Sequence, residues 1–331
     1  MTSRRQFLAA LPLSLGLSLA PARARGRKRI VMITFRGETE VERGFRDYLA
    51  AHGPETELIH RDLSRDISNL AAVIDEIRAL APDLIYTWGT PATLGVVGPW
   101  DQIDPARHIT DIPVVFALVA APVGAKISQS LQGSGRNVTG AVHVVPIAAQ
   151  MRAMRGYRDF SRFGLLYSEN EPNSRALLAE LQAWAEGEQL SLRALPFHSA
   201  PDGSPDDKGL EDLVRDLAGS GAEWLYYLPD TFLGQHYSRV SAAALAARLP
   251  TFGAAELAIR EGGALTGLIS RYYSVGQLAG QKAVAILSEG ADPGQLPIET
   301  LSRFSLIINM SVARALEVYP PLAMLDYAEL I

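Results

Sequence analysis

Gly89-Thr90-Pro91-Ala92-Thr93 follows an aromatic, β-branched run and opens a stretch of helical period, so three residue types are placed to act on one anion. Glycine permits close backbone approach, threonine offers a hydroxyl at the expected N-cap position, and proline suits the first helical turn. Together they read as a carboxylate cradle; a plain helix cap with no ligand uses the same residues. In an open parallel sheet, ligands sit beyond the carboxyl ends of strands, where loops run into helix N-termini. The other positions of this kind are Phe35-Arg36-Gly37-Glu38 and Ala117-Leu118-Val119 in the first half of the chain. In the second half they are Ser168-Glu169-Asn170, Pro229-Asp230-Thr231, Ala254-Ala255-Glu256 and Ser270-Arg271-Tyr272. Glu38, Glu169, Asp230 and Glu256 outnumber Arg36 and Arg271, which favours a ligand carrying an amine. Glu38 and Glu256 are equally suited to complementing helix dipoles. Phe35, Trp88 and Tyr272 offer faces for stacking, and Trp88 fits a core position as well.

Signatures of catalysis are scarce. The absence of cysteine removes disulfides, thiolate chemistry, iron–sulfur clusters and the usual structural zinc sites. There is no G-x-S-x-G elbow, and Gly133-Ser134-Gly135 leads into a strand without the Gly-Lys-Ser/Thr ending of a phosphate loop. None of the six histidines (His52, His60, His108, His143, His198, His236) pairs with another at the i, i+3 or i+4 spacing of a helical metal site. Each reads as structural or exposed. Binding without a cofactor or metal is therefore the expected activity class.

The elements that position these residues alternate regularly. Strands at 29–35, 57–60, 83–88, 112–118 and 137–142 are separated by helices at 38–51, 67–80, 91–97 and 123–131. After a helix at 147–157 the rhythm restarts with strands at 162–167, 191–197, 223–228, 251–253 and 264–269. The second set of helices lies at 173–188, 208–218 and 235–248. A helix at 274–289, a strand at 304–308 and a helix at 312–318 follow. The pattern predicts an α/β fold of two doubly wound parallel-sheet lobes. Residues 198–207 read as a polar surface loop. A length of 331 residues, with 48% hydrophobic and 20% charged residues, suits two globular units.

The first residues form an address. Ser3-Arg4-Arg5-Gln6-Phe7-Leu8 precedes an apolar run to Ala20 and then Ala22-Arg23-Ala24, the layout of a signal peptide with a twin-arginine motif. The apolar run is too short for a membrane span, which needs about 20 residues. Cleavage after Ala24 takes the formal charge from −5 to −8. That charge, with no Lys/Arg run beyond residue 29, argues against nucleic acid as a partner. A free periplasmic protein that uses the twin-arginine export machinery is expected.

Several segments then combine: Gly89 to Thr93, Val138-Thr139-Gly140, Tyr167 to Ser174, Ser270 to Gly280, and the late Phe304 to Asn309 with Ala313-Arg314-Ala315-Leu316. The chain from Arg29 to about Val318 resembles the ABC transporter substrate-binding protein family related to tryptophan- and tyrosine-binding exported receptors, with the type I periplasmic-binding-protein fold. The resemblance implies two lobes joined by hinge strands near 142–145, 269–271 and 303–306, with lobe 1 at 28–143 plus 270–302 and lobe 2 at 144–269 plus 303–331. It implies capture of a small molecule, an amino acid (often an aromatic one in the family) or a related amine-bearing compound, and its delivery to an inner-membrane ABC permease. The carboxylate-binding Gly-Thr turn of the family falls on Gly89-Thr90, and its second-lobe acidic loop on Asp230-Thr231. Many relatives carry Asp-Pro after the fourth strand, where this chain has Ala120-Ala121-Pro122. A ligand-sensing subunit of a signalling receptor, and less readily an exported small-metabolite enzyme, are the alternative readings.

Overall fold

The computed structural model describes residues 27–331. The expected signal peptide and its cleavage site lie outside them. The first unit contains β1 (Lys28–Thr34), α1 (Glu40–His52), β2 (Thr56–Asp62), α2 (Leu70–Leu80), β3 (Leu84–Trp88), α3 (Gly89–Val97), β4 (Val114–Val119) and β5 (Val138–Val142). The second contains α4 (Ile147–Tyr157), β6 (Arg162–Tyr167), α5 (Pro172–Gly187), β7 (Ser191–Pro196), a small hairpin of β8 (His198–Ser199) and β9 (Pro205–Asp206), α6 (Leu210–Gly219), β10 (Trp224–Tyr227), α7 (Leu233–Ala246), β11 (Thr251–Gly253), α8 (Glu256–Arg260) and β12 (Thr266–Ile269). The chain ends with α9 (Tyr272–Glu289), β13 (Glu299–Thr300), β14 (Ser305–Ile308), α10 (Met310–Leu316), α11 (Leu322–Leu325) and β15 (Glu329–Leu330).

Strands β3, β4 and β10 are buried along their whole length, as parallel strands covered by two helical layers must be. The first sheet runs β13-β5-β4-β3-β1-β2 and is parallel throughout. The second runs β15-β14-β12-β11-β10-β6-β7. Within each, the first five strands follow the order 2-1-3-4-5, which reverses direction between the first and third strand. Such a switch point leaves a crevice outside the strand ends. In the first sheet it opens beside Phe35, Arg36 and Gly89; in the second, beside Ser168 and Asp230.

The chain passes between the two sheets three times, at 143–146, 270–271 and 301–304. Through the second passage α9 packs on α1 of the first unit, and β13 pairs with β5. The α1 and α9 helices meet on glycines. A Cβ on Gly276 would stand 1.9 Å from Val41 O, and Gly280 lies against Tyr48. These are two of the residues that carried the family resemblance, and their smallness lets the backbones touch.

Three expectations need correction. No helix covers 123–131. Ile127 N donates to Pro122 O at 2.9 Å, and Lys126 then turns left-handed at φ 61°, so a single turn closes and stops. Thr90 is not an N-cap: Trp88 holds that position and α3 begins at Gly89, whose φ of 78° turns strand into helix with no intervening loop. The second sheet is also not wholly parallel, because β14 returns from the first unit and pairs antiparallel with β12. Short elements α8, α11, β13 and β15 escaped the periodicity, being too brief to show one.

Candidate functional site

A cavity lies where the two switch points face each other. Arg36, Trp88, Gly89, Thr90 and Leu118 reach it from the first sheet, and Asn173, Asp230, Thr231, Gly234 and Tyr237 from the second. His143 and Tyr272 enter from the passages between the sheets. Leu118 is aimed inward by a register shift between β4 and β5 that holds it at φ 57°. Arg36 spans the gap: its guanidinium stands 5.1 Å from the Trp88 ring centre, and Nη1 donates to Gly234 O at 3.4 Å.

The cavity wall is short of partners. Among the described residues, the buried side-chain polar atoms without a hydrogen bond are Arg36 Nε, Arg46 Nε, Trp88 Nε1, His143 Nδ1, Asn173 Oδ1 and Ser270 Oγ. Four of these six belong to residues lining this one cavity. Buried polar atoms are otherwise almost always paired, so their concentration sets this cavity apart. Burial drives the His143 imidazole down to about 4, against a weaker opposing hydrogen bond to the Val119 backbone, so the ring is neutral at pH 7.

The carboxylates tell a different story from the one their strand-end positions suggested. Asp230 lines the cavity but is committed to its own lobe. Its Oδ1 accepts from Ser168 Oγ at 3.1 Å and Leu233 N at 2.8 Å, and its Oδ2 from Ser168 N at 2.8 Å and Ser174 Oγ at 2.6 Å. Behind it, Glu171 accepts from Thr231 N at 2.8 Å and from the Thr231 hydroxyl. Burial, with the Asp230 charge adding to it, raises the Glu171 carboxyl to about 8. Glu256 is not at the cavity. It accepts from Tyr272 N at 2.6 Å and Arg260 Nε at 2.8 Å, with Arg271 Nη1 at 3.5 Å. A carboxylate on the second unit thus caps the first helix beyond the middle passage. Glu256→Gln is expected to lower stability by about 1 kcal/mol, because an amide meets the two guanidinium groups less well than a carboxylate. Urea unfolding of the two proteins measures it.

The other sequence-derived candidates divide. Glu38 pairs with Arg46 on the outside, and Glu169 is exposed. Ala117 is buried inside β4, and Ser270 is buried in the middle passage; neither lines the cavity. Phe35 stacks on Trp88 at 6.3 Å between ring centres and, with Asn170, lines an adjoining outer chamber. Trp88, Thr90, Asn173 and Thr231 show how strand-end residues of both sheets gather at the crevice. Sequence reading set His143 aside as structural or exposed and named neither Asn173 nor Tyr237 as a site residue. His143 directly follows β5 and Asn173 stands in the first turn of α5, so the strand-end rule reaches both. Tyr237 lies within α7 and carried no signal.

The family profile described as "ABC transporter substrate binding protein" matches residues 30–330. The chain belongs to that family. It is 22% identical over 277 residues to a tyrosine-binding protein of Clostridioides difficile, covering 83% of this chain and 73% of the relative. A structure described as an ABC domain in complex with L-Trp from Streptococcus pneumonia superposes with a TM-score of 0.78 at 23% identity, over 92% of this chain and 100% of that one. A conserved domain protein from Vibrio cholerae gives the same TM-score and identity, covering 92% of this chain and 99% of that one. The fold of this ABC transporter substrate-binding protein is that of the type I periplasmic binding proteins. No helix among the described residues is long and apolar enough to cross a membrane.

Proposed function

We propose that this substrate-binding protein captures a small planar compound carrying a carboxylate in the cavity between its lobes, and hands the closed complex to an inner-membrane permease. The observation that carries the reading is the gathering of unpartnered polar atoms from both sheets around one cavity. Arg36, the backbone N–H groups that begin α3, and Trp88 Nε1 suit a carboxylate; the Trp88, Tyr237 and Tyr272 rings suit a flat apolar body. Tyrosine and tryptophan, named for the relatives, carry both features. The Gly89-Thr90 turn serves as the carboxylate cradle through its backbone, with the Thr90 hydroxyl beside it.

Closure requires the ligand to bind the closed form more tightly than the open one. Arg36 supplies such a difference, since it touches Gly234 of the opposite lobe while facing the cavity. The passages at 143–146, 270–271 and 301–304 act as the hinge. The protein carries out no conversion of its ligand, is exported on the twin-arginine signal of residues 3–8, and works free in the periplasm after cleavage at Ala24.

A thermal-shift screen of aromatic carboxylates, amino acids, purines and sugars against the mature chain tests this, since a ligand that binds only the folded form raises the melting temperature. Arg36→Met is expected to weaken the best ligand at least tenfold by calorimetry while leaving the ligand-free melting temperature near that of the parent. Failure of every compound to raise the melting temperature, or accumulation of product from a bound one, overturns the reading.

A further inference from the structure

The geometry points to a ligand longer than a free amino acid: an N-acylated aromatic amino acid, dipeptides with an aromatic C-terminal residue included, whose acyl group leaves the inner cavity and fills the outer chamber. This deepens the solute-capture reading above and rests on it. Two spaces meet at one neck, because Thr90, Asn173 and Thr231 line both the inner cavity and the outer chamber. Phe35, Ile67, Pro91 and Leu94 face the outer chamber from the first lobe, and Pro172 and Phe232 from the second. Arg65, Asp66, Asn170 and Gln235 stand exposed around it. The stacked rings of Phe35 and Trp88 carry an apolar wall from one space into the other. Of the pair, Trp88 lines the inner cavity and Phe35 the outer chamber, with 13° between their planes.

The neck sets the chemistry of the linker. Asn173 is 3% exposed, and its Nδ2 donates to Pro229 O at 3.0 Å, which fixes the amide and leaves Oδ1 an acceptor without a partner. A buried acceptor in this state costs free energy until an N–H meets it. Thr231 cannot supply one, since its N–H and hydroxyl both donate to Glu171. The donor must come from the ligand. With the carboxylate at Arg36 and the start of α3, and the ring against Trp88, Tyr237 and Tyr272, the α-nitrogen is one atom from a cradle whose Thr90 is itself part of the neck. Acylation leaves that nitrogen one N–H for Asn173 Oδ1 and sends the acyl chain through the neck. Beyond it the chain is covered by both lobes, so its contacts belong to the closed form and supply the difference that closure requires.

N-acetyl- and N-hexanoyl-L-tryptophan, and the same pair of L-tyrosine, differ only beyond the neck. None carries an ammonium group, so the charges of Asp230 and Arg36 enter each comparison equally. Each methylene taken fully out of water contributes about fourfold, so four that are half covered contribute about tenfold. The hexanoyl compound of at least one pair is therefore expected to bind the mature chain at least tenfold more tightly than its acetyl partner, by calorimetry at pH 7. Phe232→Ala and Ile67→Asp, one on each lobe, are each expected to cut that ratio at least threefold; Ile67 is 43% exposed, so its replacement leaves the fold intact should the other not. Replacing the amide N–H of the better compound by an ester oxygen is expected to weaken it at least fivefold. A hexanoyl compound no tighter than its acetyl partner in both pairs, a ratio unmoved in the folded variants, or an ester equal to its amide overturns the inference. Silence of all four acylated compounds also overturns it. In that event a melting-temperature rise with free tryptophan, tyrosine or any purine or sugar keeps solute capture standing, so the two readings fail separately.

Discussion

Raising the pH from 6.5 to 8 is expected to destabilise the protein by about 2 kcal/mol, and Glu171→Gln is expected to remove that loss. Glu171 titrates near 8 in the folded protein because it is buried beside Asp230, against an ordinary value of 4.5. The folded chain therefore holds a proton that the unfolded chain has released. Such a group stabilises fully below 4.5, and its contribution is lost as the pH climbs towards 8, at about 1.4 kcal/mol for each pH unit. His143 works in the opposite sense. Its folded value is about 4 against 6.5, so the unfolded chain takes up the proton first and stability falls as the pH drops from 6.5 to 4. Burial lowers His108 and His236 as well, which adds to the same trend.

Between 4.5 and 6.5 the Glu171 loss offsets the His143 gain, so the parent profile should rise there only by the smaller contributions of His108 and His236 and fall above 6.5. In Glu171→Gln the amide can donate towards Asp230 instead of repelling it, and the high-pH fall disappears. What remains is a rise from pH 4 to 6.5 followed by a plateau. Urea unfolding of both proteins at half-unit steps from pH 4 to 8.5 reads the two shapes directly. A parent curve that is level above 6.5 would show that Glu171 is ionised in the folded protein. The consequence reaches the ligand, since Thr231, which Glu171 holds through its N–H and hydroxyl, lines the cavity.

The positions of the site were legible in the sequence to the extent that they follow from topology. Strand-end loops could be found from hydrophobic runs alone, and the switch points then bring Arg36, Gly89, Thr90, Asp230 and Thr231 to one crevice. What each side chain does there was not legible. Asp230 and Glu256 were read as ligand groups because they are acidic and stand at strand ends. Their commitments are to Ser168, Ser174, Arg260 and Tyr272, partners that lie 62, 56, 4 and 16 residues away and become neighbours only on folding. His143, which without a spaced partner read as structural or exposed, lines the cavity and carries an unpaired ring nitrogen. The helix expected at 123–131 failed for a local reason, an early left-handed residue that composition does not announce.

Gly276→Ala should lower stability by about 3 kcal/mol, although alanine is the better helix former by about 1 kcal/mol. The new Cβ would stand 1.9 Å from Val41 O and 2.9 Å from Phe45 N, both backbone atoms of α1, so no side-chain rotation relieves it. The helices must separate, and the contacts of Val275 and Ala279 with the first core loosen with them. Gly187→Ala, at the end of α5 where nothing lies within 4 Å of the new methyl, is the control and should be neutral or stabilising by up to about 1 kcal/mol. Unfolding of the three proteins in urea gives the comparison. A further effect separates position 276 from an ordinary core site. It lies one turn beyond Tyr272, which starts α9, lines the cavity, and has its N–H held by Glu256. Moving α9 away from α1 pulls Tyr272 against that anchor and widens the cavity on the hinge side. Affinity should therefore fall along with stability in Gly276→Ala, and remain unchanged in Gly187→Ala, when both are compared at a temperature where each variant is folded.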